Sequence, residues 1–409
     1  MRRFNRGWYL PLALPCVLAA CHGDPVSVEN KFAGCYDHSC VSEPVRVPGV
    51  PALASLSART SHTCGLTPAG EAWCWGDNTV GQLGDGTDQP RAAPVKVAGG
   101  LRFTAISVGS GFTCGIATGQ TAYCWGSGTG GQLGQAAPER CGASQVACAR
   151  SPLALPGRSY TAVAAGIRHA CALDTAGAAY CWGFNILGET GSGAFGETVP
   201  TPFRVPGDVP LASLQAGDAF TCGLTAAGRA YCWGSNNRGE LGRAVGGCGA
   251  VFGFASVCSP TPGPVDTSER FTALSVSNSH ACGLTAAGTA LCWGDNGQGQ
   301  LGTGSFENRM VPALAQNGAT FTAINASGAA TCGTPTAGAS VCWGLNLMGK
   351  LGVGTRVELS TTPLAIKGQR RFVSFAGGAD YVCALDADGA AYCWGSGRQG
   401  QLGTGELLP

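Results

Sequence analysis

The sequence predicts an all-β chain folded as a seven-bladed β-propeller. Three observations carry that expectation: seven copies of one hairpin pattern, a repeat of about 50 residues, and a strand missing from the last repeat that stands ahead of the first. The pattern is CGLTPAGEAWCWG from Cys64, and it returns with small changes from Cys114, Cys171, Cys222, Cys282, Cys332 and Cys383. These cysteines lie 50, 57, 51, 60, 50 and 51 residues apart, a length that suits a four-stranded blade. With 66 Gly and 23 Pro among many short apolar runs, the composition reads as strands and tight turns.

The chain opens with MRRFNRGWYLPLALPCVLAAC, which has three arginines, an apolar run from Trp8 to Ala20 and small residues before a cysteine. That is the layout of an export signal, and the run is too short to span a bilayer. Leu18-Ala19-Ala20-Cys21 resembles a bacterial lipobox, so Cys21 is the expected lipid-bearing residue. The expected layout is a signal over 1–20, a tether over 21–41 and the propeller over 42–409. Cysteine counting agrees. Of 22 cysteines, Cys16 leaves with the signal and fourteen fall in the repeats. Six more form close pairs, Cys35 with Cys40, Cys141 with Cys148 and Cys248 with Cys258. Only Cys21 is left without a partner.

Within each repeat the residues match about the midpoint as a hairpin, with Cys64 facing Cys74 and a turn at Pro68-Ala69-Gly70. Directly opposed residues share one face at a separation a disulfide can span. The expected cystines therefore join Cys64 to Cys74, Cys114 to Cys124, Cys171 to Cys181, Cys222 to Cys232, Cys282 to Cys292, Cys332 to Cys342 and Cys383 to Cys393. They suit an exported protein, and they lack the short spacing and neighbouring ligands of zinc sites. The second copy, Thr118-Gly119-Gln120, shifts the turn glycine and is expected to turn differently. Along the second strand of the hairpin, Trp73 and Trp75 point to one side and Ala72 and Cys74 to the other. Neither side is charged, so the aromatic face of one blade is expected to press on the alanine and cystine face of its neighbour.

After each Trp-Gly a fixed interval leads to Gly-x-Leu-Gly, as in GQLG at 81, 131, 299 and 400, GELG at 239 and GKLG at 349, with Gly188-Glu189-Thr190-Gly191 as the exception. The ordered set of hairpin, W-G-x-N and G-Q-L-G over nearly all of residues 42 to 409 resembles the regulator of chromosome condensation repeat family of seven-bladed propellers. Closure is readable from the residues themselves. Most repeats end in a strand such as Pro94-Val95-Lys96-Val97, whereas the last stops at GQLGTGELLP, and Pro44-Val45-Arg46-Val47 supplies the missing strand from the N-terminal side.

Catalytic signals are weak. His62, His169 and His280 precede their cysteines by two, a slot filled elsewhere by Phe112, Phe220, Ala330 and Tyr381, which marks it as a packing position. Asp77, Asp85 and Asp88 form no spaced calcium array that recurs in other repeats. No cofactor, metal or catalytic motif stands out, and the expected class is not an enzyme. Charged residues make up 12% of the chain and the net charge is +1, which leaves no basic stripe for nucleic acid.

Two repeats carry inserts with their own cysteine pairs, residues 135–151 and 243–262. Both leave the blade at the same point and are expected as loops on one face of the disc, flanking Phe184, Ile186 and Phe195 in the third repeat. Loops on a rigid scaffold are where binding resides, so Phe184, Phe195, Val251, Phe252, Phe254 and Val257 are the candidate partner contacts. The resulting expectation is a monomer held to the bacterial envelope by lipid alone, scaffolding an envelope or extracellular protein. The alternatives are a lyase-like propeller enzyme, needing a His or Glu set at the central channel, and a glycan-binding lectin. The family resemblance implies nucleotide exchange on a small GTPase or chromatin binding in eukaryotic members, which export and neutral charge disfavour. It also implies β-lactamase inhibition in secreted bacterial members, for which no inhibitory residue carries over.

Overall fold

Every repeat hairpin pairs in the register its cysteines dictate. Cys64 lies opposite Cys74, Cys114 opposite Cys124, Cys171 opposite Cys181 and Cys222 opposite Cys232. Cys282 likewise lies opposite Cys292, Cys332 opposite Cys342 and Cys383 opposite Cys393. A computed structural model describes residues 40–251, 254–315 and 318–408. The signal segment, Cys21, Cys35 and Phe252 lie outside the described residues, and the side chains of Val251 and Phe254 are likewise not described. The fold is all-β, with seven antiparallel sheets, five of four strands and two of five. Among the described residues the chain's helical content is a single 3-10 turn at Leu347–Gly349.

A regular blade is the first, running outward as Ser55–Arg59, His62–Leu66, Ala72–Gly76 and Arg91–Lys96. The last blade takes its outer strand from the other end of the chain. Cys40–Arg46 pairs with Ala391–Ser396, with Val45 opposite Cys393 and Arg46 opposite Tyr392. This strand includes Cys40, two residues ahead of the expected propeller boundary, and Cys40 is disulfide-bonded. The ring is thereby fastened by segments from both ends of the chain.

The blades lock together through the repeated motif. The cystine face of the fourth blade, with Cys222, Cys232 and Ala230, shares a core with Phe271 and Trp293 of the fifth. Cys282, Cys292 and Ala290 of the fifth pack in turn with Phe321 and Trp343 of the sixth. Cys383, Cys393 and Ala391 of the last blade likewise pack with Trp75 of the first. The tryptophan that follows the second cysteine of every hairpin is fully buried and donates its indole N–H to the carbonyl of the x residue in the preceding blade's Gly-x-Leu-Gly. Trp125 donates to Gln82 at 3.0 Å, Trp233 to Glu189 at 3.0 Å, Trp394 to Lys350 at 2.8 Å, and, across the closure, Trp75 to Gln401 at 3.0 Å. The closing glycine of Gly-x-Leu-Gly seats that ring. A Cβ at Gly84 would stand 2.5 Å from Trp125 Nε1, and one at Gly403 2.9 Å from Trp75 Nε1. Both glycines have positive φ, +70° and +68°, so steric space and backbone both exclude a larger residue.

Two expectations change. The second hairpin turns like the others: Gln120 takes the left-handed position at φ 63° and its N–H bonds the Ala117 carbonyl at 2.8 Å, as Gly70 does to Thr67. The turn tolerates a non-glycine residue there at modest cost. The inserts, too, are not free loops. Glu139–Cys141 pairs with Val146–Ala154, and Gly247–Val251 with Phe254–Pro264, giving the second and fourth blades a fifth strand. In each, the outer strand runs on past the blade edge and folds back on itself, which satisfies backbone groups that a loop of that length would leave to solvent.

Candidate interaction face

The connections from third to outer strand all emerge at one end of the blades. Five of them are organised by the asparagine of W-G-x-N, buried beneath the loop, while the second and seventh repeats carry Gly128 and Gly397 at that position. Asn78 Oδ1 accepts the Leu83 N–H at 2.9 Å, Asn236 the Leu241 N–H at 2.9 Å and Asn346 the Leu351 N–H at 2.8 Å. The Nδ2 groups donate to the far side of the loop, as Asn78 does to the Thr87 carbonyl at 3.1 Å and Asn236 to the Arg243 carbonyl at 2.9 Å. Built this way, the loops present fixed tips. Their neighbours brace them. Arg150 of the second blade pairs with Asp88 of the first at 3.1 Å and with Glu139 at 2.7 Å, and Arg238 of the fourth pairs with Asp295 of the fifth at 2.6 Å. The Gly142 N–H, followed by Arg150, holds the Asp88 carboxyl below its ordinary range. Asp85 is similarly occupied by Thr87, Arg91 and Asn78. These acids are spent on bracing loops.

Of the ten large apolar side chains exposed among the described residues, five lie on these connections, and Phe203, Met310, Val311 and Leu314 lie on outer strands. Phe195 is 45% exposed, Phe306 53%, Leu347 38%, Val357 36% and Leu407 58%. Of the residues singled out from sequence, Phe195 is therefore a free surface group. Phe184 is not: it is half-buried with the Arg168 guanidinium 5.3 Å from its ring centre. Val257 is half-buried in the outer strand of the fourth blade, opposite Gly247. Phe306, Leu347, Val357 and Leu407 were missed, although a signal existed. Phe195, Phe306 and Leu407 all stand thirteen residues after the Trp-Gly tryptophan of their blades, so aligning the repeats on Trp-Gly would have revealed one recurring exposed position.

The candidate catalytic histidines do not meet. Each is fully buried in a different seam between blades, with Nε2 on a threonine of the next blade: His62 to Thr113 at 2.9 Å, His169 to Thr221 at 2.8 Å, His280 to Thr331 at 2.9 Å. Those threonine hydroxyls donate to the carbonyls of Gln82, Glu189 and Gln300, so each is left to accept from Nε2–H, and Nδ1 is buried without a partner. Burial lowers His62 to about 4 and His169 and His280 to about 3. Nor does the one grouping of potential metal ligands among the described residues, Glu139 with Cys141 and Cys148, offer thiolates, because its two sulfurs form a disulfide.

The structure contains nine disulfides between described cysteines. Seven staple the hairpins, joining Cys64 to Cys74, Cys114 to Cys124, Cys171 to Cys181, Cys222 to Cys232, Cys282 to Cys292, Cys332 to Cys342 and Cys383 to Cys393. All fourteen of these cysteines are fully buried, which leaves them as structural staples and no part of an exposed site. The other two disulfides, Cys141 to Cys148 and Cys248 to Cys258, close the inserts. Such density belongs to an oxidising compartment. No helix among the described residues is long and apolar enough to cross a membrane.

Against known proteins, the regulator of chromosome condensation (RCC1) repeat matches residues 69–116 and 287–333, and a second profile of the same repeat matches 160–189, 212–240, 271–300 and 372–401. The chain belongs to the RCC1 repeat family. It is 32% identical over 166 residues to the mitochondrial RCC1 domain-containing protein RUG3 of Arabidopsis thaliana, covering 37% of this chain and 34% of that one. It is 26% identical over 255 residues to the ultraviolet-B receptor UVR8 of the same plant, covering 61% and 44%. The chain thus spans less than half the length of these relatives. Among solved structures, human WBSCR16 superposes with a TM-score of 0.70 at 17% identity, covering 87% of this chain and 89% of that one. Yeast RCC1 (Prp20), in its complex with Kap60, gives 0.69 at 15% identity, covering 93% and 97%. At such identities the likeness is one of fold.

Proposed function

We propose that this RCC1-repeat propeller is an exported binding scaffold that captures a protein partner on its loop face. The observation that carries the reading is the set of exposed Phe195, Phe306, Leu347 and Val357 side chains on loops otherwise fixed by the buried Asn185, Asn296 and Asn346, with exposed Leu407 at the matching position of the last repeat. Isolated exposed apolar residues are ordinary, but a recurring set on one face of a rigid body is the signature of an interface. That the yeast RCC1 neighbour was solved with Kap60 bound supports a role in protein binding, without naming a partner here. The nine cystines suit the exported setting, and Cys21 is the proposed point of attachment to the envelope.

The test is a triple variant, Phe195→Asp, Phe306→Asp and Val357→Asp, expressed in the native host. It should fold with an unchanged melting temperature and lose the partner that co-purifies with wild type after crosslinking. Retention of that partner by the folded variant would remove the face from the account. Separately, Cys21→Ser should shift the protein from the membrane fraction to the soluble one, and an unchanged distribution would sink the anchor alone.

A further inference from the structure

The inner strands of all seven blades surround a central cavity of about 290 Å³, at the lower end of the size range for small-molecule sites. Its wall is layered. One layer holds Ser57, Ser107, Gln215, Ser275 and Asn325, at equivalent positions of five inner strands. Three of these serines already accept backbone N–H groups from the next blade: Ser57 from Val108 at 2.9 Å, Ser107 from Ala165 at 2.9 Å and Ser275 from Ala326 at 2.8 Å. Each keeps its hydroxyl proton to donate. Asn325 Oδ1 is buried without a hydrogen-bond partner. Two residues further along its strand from Ser57, roughly 7 Å up the channel, stands Arg59, the one charged residue among those described in the cavity wall.

Arg59 lies in an unusual position for a cation. It reaches across the ring to the Ala216 carbonyl and to Asn278 Oδ1 at 3.4 Å. Among the described residues no carboxylate lies within ion-pair distance of it. Burial pulls its guanidinium down to about 10, against the more distant attraction of Asp218. A second basic group stands behind the wall, where Lys350 Nζ, lowered by burial to about 7, donates to the Gly378 carbonyl at 2.9 Å and to that of Ala379. Removing a cation from water without a contacting anion is costly, and the guanidinium fork keeps donors that two neutral acceptors do not use.

We propose that the channel is a binding site for a small hydroxylated carboxylate, with its carboxylate on Arg59 and its hydroxyls on the layer of Ser57, Ser107, Gln215, Ser275 and Asn325. The two layers match a short molecule bearing acid at one end and hydroxyls along the rest, such as a sugar acid. The layer supplies hydroxyl donors, an amide at Gln215 and an acceptor at Asn325 Oδ1, and the cation supplies the anion's partner. This site is independent of the loop face and of any protein bound there.

Titration calorimetry of the full exported chain with gluconate, glucuronate and tartrate tests it, with glucose and sorbitol as uncharged counterparts. At least one of the acids should bind saturably at one site per chain, and the uncharged counterparts about tenfold more weakly or not at all. Arg59→Gln should reduce acid binding by about tenfold or more while leaving the unliganded melting temperature unchanged or raised, because a poorly compensated cation has been removed. Asn325→Leu, at the other end of the cavity, should weaken binding of the same acid with Arg59 in place. Absence of saturable binding by all three acids, equal binding of the neutral compounds, or acid binding that survives Arg59→Gln would overturn the proposal.

Discussion

The seams between blades and the loop face above them follow opposite rules. In the seams two contacts recur at every joint, tryptophan to the x carbonyl and glycine beneath the indole, even across the closure from Trp75 to Gln401. On the face the framework recurs, in Asn78, Asn185, Asn236, Asn296 and Asn346, but the exposed tips differ from blade to blade. Stability is thus distributed over repeated joints, which leaves the tips free to vary without cost to the ring. Changes to the seams should therefore register in stability, and changes to the face in binding.

The largest stability effect is expected at the one joint without chain continuity. Deleting residues 40–47 removes the outer strand of the last blade and the Ser42 backbone that packs on Gly349. Loss of several kcal/mol or failure to fold should follow, read by thermal denaturation; an unchanged melting temperature would show that the ring does not depend on this strand. Next is the seat of the tryptophan. Gly302→Val places a Cβ 2.6 Å from Trp343 Nε1 at a φ of +68°, and should cost about 2–4 kcal/mol. The same substitution at Gly193, also of positive φ but with nothing within 4 Å, should cost only the backbone strain of about 1–2 kcal/mol. Equal costs at the two sites would break the seam argument.

A smaller effect concerns acid. The three seam histidines have folded values near 3 to 4, below the ordinary 6.5. The unfolded chain therefore binds protons that the folded one refuses. Their contribution is complete above about pH 6.5 and is lost as pH falls below it, by about 1.4 kcal/mol per pH unit for each histidine. Glu189, whose carboxyl burial raises to about 7, works in the other direction, losing stability as pH rises from about 4.5 to 7, so the histidine effect must be isolated by substitution. His169→Phe is suited to this because Gly166 lies against the ring as Gly109 lies against Phe112. The variant should be nearly as stable as wild type at pH 7 and less sensitive to acid at pH 5; an identical pH profile would mean that His169 titrates normally. The smallest change should be a gain. Where six repeats bury leucine, the third buries Thr190, whose hydroxyl has no partner, and Thr190→Val should add about 1 kcal/mol. A loss on chemical denaturation would show that the hydroxyl is satisfied.

What the sequence disclosed follows the same division. Cys64 opposite Cys74, the burial of Trp75 and the closing strand at Val45 are legible because each is dictated by a period repeated along the chain. The inserts read as loops because residues 139–141 and 247–251 show no alternation to mark them as strands; their pairing comes from the lengthened outer strands beside them. Phe184 reads as free because its cover, Arg168, lies in a different turn. The cavity is hidden in the sequence as well. Arg59 and Asn325 are 266 positions apart in the chain, and only ring closure brings them to one wall.

The central claim, that the loop face and no other surface receives the partner, is tested most directly by site-specific photo-crosslinking in intact cells. A photoreactive residue placed singly at Phe195, Phe306 or Val357 should crosslink to one and the same protein. The same residue at Ala226 or Asp388, exposed in hairpin turns at the opposite end of the blades, should give no such product. Crosslinks to that protein from Ala226 or Asp388, with none from the three loop positions, would contradict the account.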